Sequence, residues 1–143
     1  MKNKLLILCL LVFSLIACSS DDNKNKNELQ EELDVTVENI KGTWLAVEYS
    51  DHSGSDFQPY QSIEKDNQYT YTFKSDLSFL NTSNSQCNGF YEVNQEDRKL
   101  ILYFESGCSS ETSVSSVAEI TNDLMILIRS AGDEAVKIKY RKQ

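Results

Sequence analysis

The sequence predicts an all-β fold, an eight-stranded antiparallel up-and-down β-barrel preceded by a signal peptide and a flexible linker. Three observations predict it. From Ile40 onward, short runs rich in Val, Ile, Thr, Tyr and Phe recur at regular spacing, separated by turn residues. Within several runs, apolar and polar residues alternate with the period of two that a half-buried strand requires. No long segment carries the 3.6-residue apolar period of a helix. Eight strands joined mostly by short connections can close on themselves and leave no sheet edge unpaired.

The chain has 143 residues, enough for one domain. Its start stands apart from the barrel. Lys2 and Lys4 are basic, and Leu5 to Ala17 is an apolar run broken only by Ser14. Such a run is too short to cross a bilayer as a helix and suits the core of a signal peptide, assigned here to residues 1–17. One reading is an ordinary secretory signal. The other rests on Leu15-Ile16-Ala17-Cys18, which resembles the lipobox of bacterial lipoproteins. That resemblance implies that Cys18 becomes the mature N-terminus, carries diacylglycerol and makes the membrane a partner. A single acyl chain holds only marginally, whereas two or three on one cysteine attach stably. Ser19-Ser20-Asp21-Asp22 resembles the acidic export tether of surface lipoproteins, which implies the outer membrane, at its periplasmic or cell-surface face; a plain solvated linker is the alternative. Residues 18–37 are assigned to the lipidated cysteine and a flexible linker; the stretch from Asn23 begins polar and low in complexity, as a flexible spacer should. Leu29 and Leu33 share one helical face there, but a helix that short is marginal in water.

The barrel domain is assigned to residues 38–143. Its strands are expected at Thr43–Ser50, Gln68–Lys74, Ser78–Ser83, Asn88–Asn94, Lys99–Glu105, Ser115–Thr121, Leu124–Arg129 and Ala135–Arg141. Tyr69, Tyr71 and Phe73 fall on one face, with Thr70, Thr72 and Lys74 on the other. Tyr91 pairs in this way with Val93, and Leu100 with Leu102 and Phe104. Val136, Ile138 and Tyr140 alternate with Lys137, Lys139 and Arg141. Two strands, "LILYF" and "LMILI", are apolar on both faces; Ile101, Tyr103, Met125 and Leu127 are expected outward, bare or covered by the segment around Leu33 and Val35. The longest connection, Asp51 to Asn67, holds the single proline, Pro59, and its length fits a lid or binding loop. Of the four cysteines, Cys9 falls in the signal and Cys18 in the lipobox. Cys87 and Cys108 remain as an even pair, which in an oxidising compartment defaults to a disulfide.

In "IKGTWLAVEY", Gly42-Thr43-Trp44 resembles the G-x-W signature that opens the first lipocalin strand. "YTYTFKSDLSF", "GFYEV", "KLILYF", "ITNDLMIL" and "VKIKYRK" resemble the later strands of short lipocalin-like domains in bacterial lipoproteins. The family implies a barrel open at one end that often binds small apolar molecules, with a late basic residue packed over the Trp. Arg141 is the first candidate for that residue and Arg129 the second. Loops alternate ends in such a barrel, so Cys87, at the start of the fourth strand, and Cys108, after the fifth, fall side by side at the open mouth. The hairpin after Phe73 reads Asp76-Leu77 where the family usually has Asp-Gly. If Phe73 and Phe79 pair inward, Ser75 to Leu77 is a three-residue loop whose last residue is left-handed.

Composition narrows function. The formal net charge is −8, and without Lys2 and Lys4 twelve basic residues face 22 acidic ones, near −10. Such a surface repels nucleic acid, so no nucleic-acid partner is expected. His52 is the sole histidine and no G-x-S-x-G occurs; the adjacent acids lie in the linker or turns. No catalytic residue, metal site or cofactor is assigned, and no enzyme is expected. Two functions stay open. In the first, a lipid-anchored barrel binds a small hydrophobic or amphipathic ligand inside, against Trp44, Tyr69, Tyr71, Phe73, Phe79, Tyr91 and Tyr140, with Phe57 and Tyr60 on the lid. In the second, the same side chains fill the barrel, and the protein is an interaction or structural accessory module of a surface complex, with a surface protein as partner.

Overall fold

A computed structural model of the protein describes residues 30–53, 56–83, 86–108 and 110–143. The expected signal peptide, Cys18 and the linker through residue 29 lie outside the described residues. A four-residue helix, α1 (Val37–Ile40), precedes ten strands: β1 (Gly42–Ser53), β2 (Asp56–Phe57), β3 (Gln61–Ser62), β4 (Thr70–Phe73), β5 (Ser78–Asn81), β6 (Gly89–Asn94), β7 (Lys99–Phe104), β8 (Thr112–Ile120), β9 (Leu124–Ala131) and β10 (Glu134–Lys142). β4 to β10 pair in chain order, β1 pairs with β4, and β10 returns to β1. Every pairing is antiparallel. β1 and β4–β10 therefore close an eight-stranded up-and-down barrel, in which every long strand has two neighbours to hold its backbone hydrogen bonds.

The interior follows the period-two pattern. Trp44, Tyr140, Phe73, Phe79, Leu100 and Met125 are almost completely buried and pack with Tyr71, Tyr91, Leu102, Val117 and Leu127. Burying one such side chain contributes on the order of 2 kcal/mol. The aromatic rings meet in sequence: Phe73 on Tyr91 at 5.0 Å between centroids, Phe79 on Phe104 at 5.5 Å, and Tyr71 stacked on Phe73 at 5.8 Å. Phe73 and Phe79 are direct cross-strand partners, as the three-residue loop requires, and Leu77 adopts φ 65°.

The turns between β4 and β5, β6 and β7, and β8 and β9 lie at one end, the floor. The N-terminal segment plugs it. The Leu33 N–H donates to the Ile120 carbonyl at 2.8 Å, and Val35 and Ile40 are buried in the core. The Thr36 hydroxyl accepts from the Asn39 N–H at 3.2 Å and caps α1. α1 in turn presents the Ile40 carbonyl to the Trp44 indole N–H at 2.6 Å. The expected domain boundary at residue 38 is thus corrected. Leu33, Val35 and Val37, placed in the flexible linker, pack with the hydrophobic core and belong to the folded domain.

Two further expectations are corrected. Met125 and Leu127 point inward, since Met125 is the cross-strand partner of Tyr140 and Leu127 of Ile138. The stretch 51–67 is not one free loop. β2 and β3 fold back on β1, through His52–Phe57 and Glu48–Ser62 pairs, and a 3-10 turn spans Lys65–Asn67.

Candidate functional site

The opposite end of the barrel, the mouth, carries the connections after β1, β5, β7 and β9. A cavity of about 440 Å³ opens there, lined among others by Tyr69, Tyr71, Asn81, Phe104, Ser113 and Arg129. The Cys87–Cys108 disulfide, with a Cα separation of 5.9 Å, forms part of the same wall. It joins the start of β6 to the end of β7 across adjacent antiparallel strands, the pairing expected from the sequence.

The cavity is polar because side chains of the inward set change character near the mouth. On β9, Met125 and Leu127 are followed on the same face by Arg129. On β8, Val117 gives way to Ser115 and Ser113, and on β5 Phe79 gives way to Asn81. The Tyr69 and Tyr140 hydroxyls stand 3.1 Å apart, and the Asn81 amide donates to the Tyr71 hydroxyl at 3.5 Å. The Arg129 guanidinium lies beside the Tyr71 hydroxyl. Burial works against the Arg129 charge, but Tyr71, Tyr140 and Tyr69, anionic in the alkaline range where a guanidinium titrates, outweigh it and raise its pKa. Burial pushes the Tyr71 hydroxyl above its ordinary range, and the fully enclosed Tyr140 hydroxyl well above it. The mouth therefore presents one permanent cation among neutral hydroxyls.

The predicted ligand residues divide into three groups. Tyr69 and Tyr71 line the cavity. Trp44, Phe73, Phe79, Tyr91 and Tyr140 lie below it in the solid core, where a ligand would have to displace them. Phe57 and Tyr60 do not cover the mouth. Lys137 stands 4.0 Å over the Phe57 ring and Lys139 4.1 Å over the Tyr60 ring. Both lysines are on the outward face of β10, so these aromatics sit against the outer wall; the fold-back of β2 and β3 on β1 is the cause.

At the floor, Trp44 is covered by a basic residue other than the one expected. Arg141 is exposed and does not cover the Trp; Lys142 stands 5.0 Å over the Trp44 ring instead. Strand parity is the reason. Tyr140 points inward, so its neighbour Arg141 points out and Lys142 returns to the inner face, directly opposite Trp44. Arg129, the second choice for that role, is at the other end of the barrel. Gly42, at φ 128°, makes room for the lysine: a Cβ there would lie 2.8 Å from Lys142 Cε.

The sequence reading did not assign Asn81, Ser113 or the mouth position of Arg129 to a site. The signal was present. Carrying the inward face of β9 from Leu127 forward by two residues reaches Arg129, but "LMILI" is apolar on both faces and hides its own parity. Among the described residues no group of three His, Cys, Asp or Glu side chains is placed to hold a metal ion.

No protein-family model and no curated protein sequence matches this chain. A crystal structure of a lipocalin-like protein from Bacteroides uniformis is similar at 12% identity, over 73% of this chain and 99% of that one, with a TM-score of 0.42. The strand pairing itself defines the architecture: an eight-stranded antiparallel up-and-down barrel.

Proposed function

We propose that the protein is a non-enzymatic, lipid-anchored barrel of the outer membrane that binds a small amphipathic molecule in its mouth. The observation that carries this reading is the cavity of about 440 Å³ at one end of an otherwise filled barrel, with polar side chains from several strands converging on it. The volume suits a compact ligand and leaves the core below intact. The lipobox resemblance at Cys18 supports the anchor. The full chain, held in a non-ionic detergent and equilibrated with a lipid and metabolite extract of its own cells, is to be weighed by native mass spectrometry. A discrete added mass, lost in a Tyr71→Ala variant that still folds, is expected; bare protein across several extracts would reject the reading. Radiolabelled palmitate, incorporated by the wild type and not by Cys18→Ala, tests the anchor separately.

One observation favours the second reading, an interaction module. Leu80, Phe90, Tyr103 and Val114 are all exposed on the outer face of β5–β8, Phe90 by 60%. Phe90 and Tyr103 are direct cross-strand partners, so they present one apolar surface.

A further inference from the structure

Arg129 is the only charged residue in the described lining of the mouth cavity. The chain as a whole carries an excess of eight negative charges, yet no carboxylate among the described residues forms an ion pair with this one. Among the described residues the ion pairs join Lys41 to Glu38, Arg98 to Glu32, Lys99 to Asp97 and Lys139 to Glu48; Arg129 has none. Its Nε is buried and has no hydrogen-bond acceptor among the described residues. Below about pH 10 the tyrosine hydroxyls around it are neutral and bring no counter-charge. Arg129 is half-buried at the cavity wall, with its Nε closed off from solvent and no carboxylate of the described residues paired with it, so its charge is left to face what enters the cavity.

The surroundings say which partner and on which side. Arg129 also borders a second cavity of about 480 Å³, shared with Asp51, His52 and Glu134. Two carboxylates there repel an anion. The first cavity has no acidic residue in its described lining and offers the hydroxyls of Tyr69, Tyr71 and Ser113 and the amide of Asn81. These are hydrogen-bond donors that complement oxygen acceptors, and the guanidinium supplies charge in the planar form that suits carboxylate or phosphate.

We propose that the mouth cavity binds an oxyanion, with the Arg129 guanidinium as its counter-charge and the neighbouring hydroxyl and amide groups as neutral donors. The anion is the carboxylate or phosphate head of a small amphiphile, or the free ion. The inference rests on the reading of the cavity as a binding site and adds the charge of what it binds.

The test is calorimetric titration of the full chain in a non-ionic detergent with hexanoate, hexan-1-ol and inorganic phosphate. Hexanoate is expected to bind at least about tenfold more tightly than hexan-1-ol, and to weaken between low and high salt while hexan-1-ol does not. Arg129→Gln should abolish the preference for hexanoate over hexan-1-ol and its salt dependence; Arg129→Lys should restore part of both, as a point charge without the planar fork. Phosphate that competes at least as well as hexanoate assigns the site to the free ion, and hexanoate alone assigns it to an amphiphile. Should Arg129→Gln fail to fold, the salt dependence of the wild type decides. Equal, salt-independent binding of hexanoate and hexan-1-ol would overturn the oxyanion and leave the cavity reading in place. Failure of both anions overturns the oxyanion whatever the extract yields; if hexan-1-ol and the extract fail too, the cavity reading falls with it.

Discussion

Leu77 takes a backbone conformation that its side chain resists. At φ 65° its Cβ crowds the following carbonyl, a strain of about 1–2 kcal/mol for a residue other than glycine. Glycine would remove that strain but gain freedom in the unfolded chain, which offsets roughly 0.5–1 kcal/mol of it. Leu77→Gly is therefore expected to stabilise the protein by about 0.5–1 kcal/mol. Urea denaturation checks this, and a lower midpoint would contradict the strain account. Gly42 is the opposite case. A Cβ there would meet Lys142 in a backbone conformation that L residues avoid, so Gly42→Ala should destabilise by about 1–3 kcal/mol and dislodge the lysine from Trp44. Tryptophan fluorescence, with Lys142→Ala as reference, reports the second effect. Leu77 was legible in the sequence, because the Phe73–Phe79 pairing fixed the loop length. The cation over Trp44 was legible from parity: a late basic residue was expected there, and Tyr140 inward excludes Arg141 and selects Lys142.

At the scale of the element, alternation decided what could be read. β4 and β10 alternate cleanly, and their inward residues are those expected. β9 is apolar on both faces, and its inward set emerged only from its pairing with β10. Fold-back of β2 and β3 was not legible either, since two-residue strands carry no periodicity. The N-terminal segment taught a similar lesson: Leu33 and Val35 looked like stray apolar residues in a linker until the floor they cover was formed. The disulfide was legible because the meander alone brings Cys87 beside Cys108. It closes a sequence separation of 21 residues, for which the chain-entropy account gives a stabilisation of roughly 3 kcal/mol. Reduction should lower the melting temperature by a corresponding amount, with the β6–β7 end of the mouth the first to exchange its amide protons. An unchanged melting temperature in reductant, with both thiols shown free, would contradict this.

For the whole molecule, the buried hydroxyls set a limit on alkaline stability. Tyr140 and Tyr71 have pKa values raised above 10.0 in the folded state, chiefly by burial, so folding favours their neutral forms. The sign follows. Below pH 10 both states hold the proton and this stability is intact; above it the unfolded chain ionises first, and stability falls as pH climbs toward the folded values. Denaturation midpoints should therefore decline from about pH 10 upward, and Tyr140→Phe should flatten part of that decline. A Tyr140→Phe profile parallel to that of the wild type would sink the assignment.

The plugged floor has a mechanical consequence. Gln30 lies at the floor, accepting from the Thr121 hydroxyl at 2.9 Å, and Gln143 lies there too, donating to the Thr43 carbonyl at 2.9 Å. A load applied to the chain ahead of Gln30 enters through the plug and the β1–β10 seam. The mouth lies at the far end of the strands, outside that load path and cross-linked by its own disulfide. Under the proposed function, tension on a tether and grip on a ligand would be borne by opposite ends of the barrel, so the one could vary without loosening the other.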